Sequence, residues 1–246
     1  MAMHYKKSLI YFSILLLVLL SLGCAAQKAY RINPEFESHA RSVTTPQLIP
    51  PDIKIYELSA GGVEELIDEW SAKGKENVTK SIIDELSDKE VEIKTASLDE
   101  ELKGELEEVQ ALYMAVHNSI LLHTYNTNNL FPDKQKNFDY SIGPIDKILQ
   151  KFNSDSLIFA YGYDQISTGG RKALMVLGML LGAATGVYVA PSYGVTAVSV
   201  ALVDSSGTVL WYNVNANAGS FDLRDEKSCR SLVKGLLRDF PQIKKR

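Results

Sequence analysis

The apolar and polar positions of this chain predict short strands that alternate with longer helices. Polar and apolar side chains alternate over Asp52–Leu58, which is typical of a strand that buries one face. The same alternation returns over residues 91–95. Residues 157–163 are almost all apolar, so they predict a strand at the centre of a sheet.

A hairpin is predicted further along the chain. Residues 195–203 are rich in Val and Ala, and residues 208–214 are rich in aromatic and β-branched side chains. Between them, residues 204–207 have the composition of a tight turn. We expect Trp211, on the second strand, to be buried against the last helix.

Apolar residues at helical spacing predict the helices. One apolar stripe follows the glycines at positions 61 and 62. It predicts either one helix or two helical segments divided at Gly74. Its members are Val63, Leu66, Ile67, Trp70, Val78, Ile82, Ile83 and Leu86. A capping box at residues 97–100 predicts the start of a second, long helix. Two more helices are predicted over residues 142–152 and 225–240, and the polar residues 126–138 predict a loop.

These elements follow one another in the order β-α-β-α-α-β, a hairpin and a final helix. This order predicts an α/β class, in the α+β arrangement, in which helices pack against a mixed sheet. We expect residues 52–246 to form one such domain.

The first two dozen residues have the features of a secretory signal. Lys6 and Lys7 precede an apolar run over residues 8–22, which is shorter than a membrane-spanning helix requires. The run ends in Leu-Ser-Leu-Gly before Cys24, which resembles the lipobox of bacterial prolipoproteins, although Ser21 stands where that family usually has Leu. The alternative is an ordinary signal peptide with an incidental cysteine.

The lipobox resemblance implies that residues 1–23 are removed and that Cys24 is acylated. Ala25, rather than Asp, follows the cysteine, which by the same resemblance implies the periplasmic face of the outer membrane. Residues 24–51 contain four prolines and no apolar periodicity. They predict a flexible tether between the lipid anchor and the domain.

The charge of the chain argues against nucleic acid as a partner. The full sequence has a formal net charge of −4. Loss of Lys6 and Lys7 with the signal leaves 24 basic and 30 acidic residues, a net charge of −6. Binding to phosphates requires a basic surface.

No motif predicts catalysis, a cofactor or a metal site. His117 and His123 are six residues apart, so they do not form the pair at i and i+4 that binds zinc on a helix. Gly61 and Gly62 precede a predicted helix but lack the lysine of a phosphate-binding loop. We therefore expect no catalytic residue, no metal ligand, no cofactor and no enzymatic activity, although a site assembled from scattered residues stays open.

One stretch is unusual, because residues 173–203 contain no charged side chain. Within it Gly178, Gly182 and Gly186 recur at every fourth position, which on a helix over residues 173–190 would form one groove for close helix packing in lipid. This predicts a segment that inserts into the membrane or self-associates. The alternative, equally open, is an apolar insert that packs against its own domain.

Three short stretches resemble a group of periplasmic lipoprotein domains. Residues 155–162 resemble the residue pair and the strand that follow a helix in that group. Residues 202–211 resemble its hairpin, which contains an Asp before the turn and ends in Trp. Residues 231–241 resemble its final helix. The group includes the curli secretion channel lipoproteins, the amino-terminal domain of TolB and small lipoproteins of the same architecture. The resemblance implies a mixed sheet covered by helices and a role in envelope assembly.

The sequence therefore predicts a lipid-anchored envelope protein that acts as an assembly or scaffolding component. Its expected partners are the membrane, through the lipid, and other envelope proteins or further copies of itself. The alternative is an oligomeric pore subunit that resembles the curli secretion lipoproteins.

Overall fold

The computed structural model describes residues 30–95, 100–126, 128, 131–186 and 192–243, without the side chains of residues 100 and 101. Within these ranges the strands are β1 Arg31–Ile32, β2 Pro46–Leu48, β3 Asp52–Leu58, β4 Glu64–Leu66, β5 Lys94–Thr95, β6 Ser156–Ser167, β7 Val195–Asp204 and β8 Val209–Ala218. The helices are α1 Phe36–His39, α2 Asp68–Ser87, α3 Glu100–Ile120, α4 Pro132–Lys136, α5 Asp146–Phe152, α6 Gly169–Thr185 and α7 Glu226–Leu236.

The strands form one mixed sheet around β6. β7 lies between β6 and β8 and runs antiparallel to both, and β1 adds antiparallel to β8. On the other side of β6, β2 and β3 both run parallel to it, β2 beside its first half and β3 beside its second. The predicted α/β class, with helices against a mixed sheet, is confirmed.

Helices cover both faces of the sheet. Successive side chains of a strand point to opposite faces, so each central strand contributes to two cores. Ile158 and Ala160 of β6 join the core beneath α2 and α7, whereas Leu157 and Phe159 join the core beneath α3 and α5. Trp211 is 0 % exposed and meets the ring of Phe240 edge to face at 5.0 Å between centroids. The predicted burial of Trp211 is confirmed.

The predicted tether is wrong for residues 30–51, which belong to the folded domain. β2 lies in the sheet between β5 and β6, and Val43, Leu48 and Ile49 are buried. The elements here span only a few residues, too few for a periodic pattern to show in the sequence. Residues 1–29, which include the predicted signal and Cys24, lie outside the described residues.

The stripe that begins at Val63 is not helical throughout. Glu64–Leu66 forms β4, which pairs antiparallel with β3, and the helix begins only at Asp68. Gly62, at φ +83°, makes the turn between the two strands. Val63 and Leu66 are consequently exposed, at 68 % and 45 %.

Other boundaries shift by a few residues. β5 is shorter than predicted, the loop over residues 126–138 contains α4, and the helix expected from Ile142 begins at Asp146. Ile142 instead donates its N–H to Gly207 beside the hairpin turn. Of the predicted capping box at residues 97–100, only residue 100 is described, and it is the first residue of α3.

Candidate functional site

The unusual apolar segment forms the helix α6. Thr168 caps its beginning, because the Thr168 side-chain oxygen accepts a hydrogen bond from the N–H of Arg171. Gly186 ends the helix in the left-handed conformation, at φ +73°. The helix therefore covers Gly169–Thr185 and not residues 173–190.

Two of the three glycines of the predicted groove lie within the helix. Gly178 is buried and Gly182 is half-buried, on the face of α6 that also bears the buried side chains of Arg171 and Met175. At Arg171 this face meets the β3–β4 turn, and at Met175 it lines a cleft beside the sheet. Gly186 lies beyond the helix end, so its place in the groove is a wrong prediction. Self-association through Gly178 and Gly182 stays a prediction, and it would require the chain's own contacts to open first.

Arg171 fixes α6 to the body. Its side chain is 6 % exposed and donates to the backbone carbonyls of Ser59, at 3.1 Å, and Ser192, at 2.8 and 3.1 Å. A buried guanidinium is costly without hydrogen-bond acceptors, and these carbonyls supply them. The arginine therefore joins the β3–β4 turn, α6 and the segment before β7.

The outward face of α6 carries large apolar side chains in contact with solvent. Leu180, at its centre, is 63 % exposed, and the other members are Leu174, Val176, Leu177, Met179 and Leu181. From Ala173 to Gly186 no charged residue interrupts this face. The helix is about 26 Å long. No helix among the described residues meets the length and hydropathy needed to cross a bilayer.

The exposed apolar residues concentrate at one end of the sheet, which we call the apolar end: residues 59–67, α6 and residues 192–195. β3 and β6 both finish there, and β7 begins there. Of the 14 large apolar side chains that are exposed in the described part of the chain, ten lie at this end. Those outside α6 are Val63, Leu66, Tyr193 and Val195. A cluster of this kind typically marks an interaction surface.

A cleft of about 410 Å³ lies between α6 and the sheet. Met175, Met179 and Phe221 supply apolar walls, and Lys172 and Asp222 supply charges. The loop on the far side is held by the buried Asp164, which accepts hydrogen bonds from Thr196 and from the N–H of Leu223. Burial raises the pKa of Asp164 to about 6, against the lowering effect of these hydrogen bonds.

A second cleft, of about 310 Å³, lies on the opposite face of the sheet, beside α3. Its lining includes His117, Tyr161, Tyr163, Asn118 and Lys54. The His117 and Tyr161 rings stack with 5.3 Å between centroids. Its spacing from His123 excluded His117 as half of a zinc-binding pair, and no other role was predicted for it. The signal for burial was its position four residues after Tyr113, on the apolar face of α3.

His117 is neutral at physiological pH. Burial lowers its pKa to about 4. Its Nδ1 lies 3.1 Å from the Tyr212 hydroxyl and 3.5 Å from that of Ser199. Burial strongly raises the pKa of Tyr212, so that hydroxyl keeps its proton. An imidazole with this pKa is a weak base, poorly matched to general-base catalysis at neutral pH.

His117 and His123 are not brought together as ligands of one metal. Among the described residues no group of three or more His, Cys, Asp or Glu side chains could hold a metal ion. His123 instead meets the ring of Phe131 edge to face, 4.7 Å between centroids.

No protein-family model matches this chain, and no curated protein matches it.

Proposed function

We propose that this chain is a lipid-anchored envelope protein, acylated at Cys24 on the periplasmic face of the outer membrane, that acts as a non-enzymatic assembly or scaffolding component. The observation that carries the proposal is the outward face of α6, whose large apolar side chains are exposed and which carries no charge from Ala173 to the end of the helix.

The arrangement of α6 supports an association surface. Apolar area of this extent is costly in water, and soluble proteins keep such patches where a partner covers them. The helix has capped ends and is held by the buried Arg171, so the surface is preformed. A preformed surface loses less conformational entropy when a partner binds.

The body supports a scaffolding role. Its sheet is covered by helices on both faces, and residues 31–48 belong to it through β1 and β2. Such a body transmits the position of the anchor to whatever binds it. The polar groups of the second cleft include a histidine that is a weak base, which favours binding over catalysis there.

The alternative, a pore subunit, has less support. Helices that line a pore would have to leave the body, which requires the hydrogen bonds of Arg171 to break and the buried Gly178 to be uncovered. The helix also ends at Gly186, short of residue 190.

The test is acylation and crosslinking in intact cells. We expect the wild-type chain to incorporate labelled fatty acid and Cys24→Ser to incorporate none. In crosslinked outer membranes, we expect the wild-type chain in complexes of defined mass with other envelope proteins, identified by mass spectrometry. Failure of acylation would overturn the anchor, absence of any defined complex would overturn the scaffold, and a closed ring of identical chains would support the pore instead.

A further inference from the structure

We infer that the apolar end docks on the lipid bilayer itself, with α6 lying flat in the membrane interface as a second, non-covalent attachment. This inference rests on the proposed acylation of Cys24 and names the partner that covers α6. It is carried by the direction in which the chain enters the sheet.

The chain enters the sheet from the apolar end. β1 pairs antiparallel with β8, Arg31 opposite Tyr212 and Ile32 opposite Trp211. β1 therefore runs away from Ala218, the last residue of β8, and its first residue faces that end. Ala218 pairs with Val195, one of the exposed apolar residues of that end.

The reach from Cys24 is short. Seven residue steps separate Cys24 from Arg31, which span at most about 24 Å when fully extended. The six steps of β8 from Tyr212 to Ala218 already cover about 20 Å in the same direction. The Cα of Cys24 can therefore lie at most a few Å beyond the apolar end along this line. If the chain before Arg31 continues the line of β1, the bilayer that holds the acyl group lies at the apolar end.

The charges at this end are compatible with a membrane interface. The outward face of α6 has none after Lys172, whose long side chain can extend toward the headgroups. Glu64 and Glu65 lie on β4, and the Glu64 carboxylate accepts hydrogen bonds from Tyr163 and Gln165. In α6 the leucines form the face that enters the interface, and the body stands in place of the polar face that isolated interfacial helices have.

The same geometry argues against a second copy as the partner. Two copies anchored in one leaflet both direct their apolar ends toward the plane of the membrane. Their α6 faces then lie side by side and not face to face. A direct contact between the outward faces would require one anchor to leave the bilayer.

Vesicle binding by the unacylated protein tests the inference. The protein used is the chain from residue 24 with Cys24→Ser, and the probe is vesicles of phosphatidylcholine. We expect it to float with the vesicles. The double variant Leu177→Glu/Leu180→Glu should lose at least about tenfold in partitioning, because Leu180 lies at the centre of the outward face and Leu177 is exposed next to it, one turn earlier. The matched control is Leu112→Glu, an equally exposed leucine beside Ile145 near the other end of the sheet.

A polarity-sensitive dye adds a measurement independent of flotation. In the Cys24→Ser chain Cys229 is 0 % exposed, so a cysteine introduced at position 180 is the accessible thiol for labelling. We expect the emission of Leu180→Cys to shift to the blue when vesicles are added and that of Leu112→Cys to stay unchanged.

The outcomes separate the two proposals. If the Cys24→Ser chain neither floats nor shows the blue shift while the acylated chain stays on membranes, docking is overturned and the lipid anchor stands. If the wild-type chain is not acylated in cells but the Cys24→Ser chain floats through Leu177 and Leu180, the anchor fails and docking stands. Equal loss of binding in Leu112→Glu would overturn the assignment to α6.

Discussion

His39 Nδ1 lies 2.6 Å from Oδ2 of Asp204, a contact between residues separated by most of the chain. Asp204 is buried at the end of β7, where its Oδ1 accepts hydrogen bonds from Ser206 and from the N–H of Thr208. His39 belongs to the segment that the sequence predicted to be a tether. The contact therefore fastens the N-terminal segment to the β7–β8 turn.

This pair predicts a pH dependence of stability. The hydrogen bond to Asp204 raises the pKa of His39 against the opposing effect of burial, and Glu35, with its carboxylate 3.5 Å away, raises it further. A histidine with a raised pKa stabilises the fold fully below its unfolded pKa of about 6.5 and loses that contribution as pH rises through the folded pKa.

The free energy of unfolding, measured with urea, should therefore differ less between about pH 6 and about pH 8 in His39→Gln than in the wild-type protein. The wild-type protein should lose more free energy of unfolding over this interval than the variant. Parallel pH profiles for the two proteins would contradict the role of His39.

Trp211 predicts the largest loss of stability from a single truncation. Trp211→Ala should lower the free energy of unfolding by about 3–5 kcal/mol, because the side chain is fully buried against Phe240 and a cavity would remain. Leu112→Ala, at a side chain that is 52 % exposed, is the control and should change stability by less than about 0.5 kcal/mol. Chemical denaturation of both variants measures the contrast.

Two helical glycines should respond in opposite ways to alanine. Gly104 in α3 has nothing within 4 Å of an added Cβ, so Gly104→Ala should stabilise by about 0.5–1 kcal/mol through helix propensity. A Cβ on Gly74 in α2 would lie 2.6 Å from Cδ1 of the buried Ile55. Gly74→Ala should lower the free energy of unfolding by about 1–3 kcal/mol through overpacking, and the gain in helix propensity from alanine offsets part of this loss. Equal stabilisation by both substitutions would show that α2 can move away from β3.

Gly182 distinguishes packing on the body from association in lipid. Because Gly182 lies half-buried on the inward face of α6, Gly182→Leu should lower the free energy of unfolding by roughly 1–3 kcal/mol. Ala184→Leu adds similar bulk on the exposed side and should leave stability nearly unchanged. If Gly182→Leu kept full stability but abolished crosslinked oligomers, the predicted glycine groove would be restored.

The sequence by itself determined the elements with long, regular patterns. β3, the β7–β8 hairpin, the long helix α3 and the apolar faces of α2 and α7 follow from periodicity, because enough residues repeat the same spacing. The same holds for the apolar, charge-free character of α6. The N-terminal signal and Cys24 rest on sequence alone, since they lie outside the described residues.

The tertiary structure decided what the short or ambiguous stretches became. β1, β2 and β4 are too short to show a period, and each exists because a neighbouring strand supplies its backbone partners. The glycines of α6 allowed either a groove for a second helix or a face against the body, since spacing does not say which neighbour a helix face meets. The contacts of Arg171 turned that face inward, and the antiparallel register of β1 on β8 placed the leucines at the end from which the chain emerges.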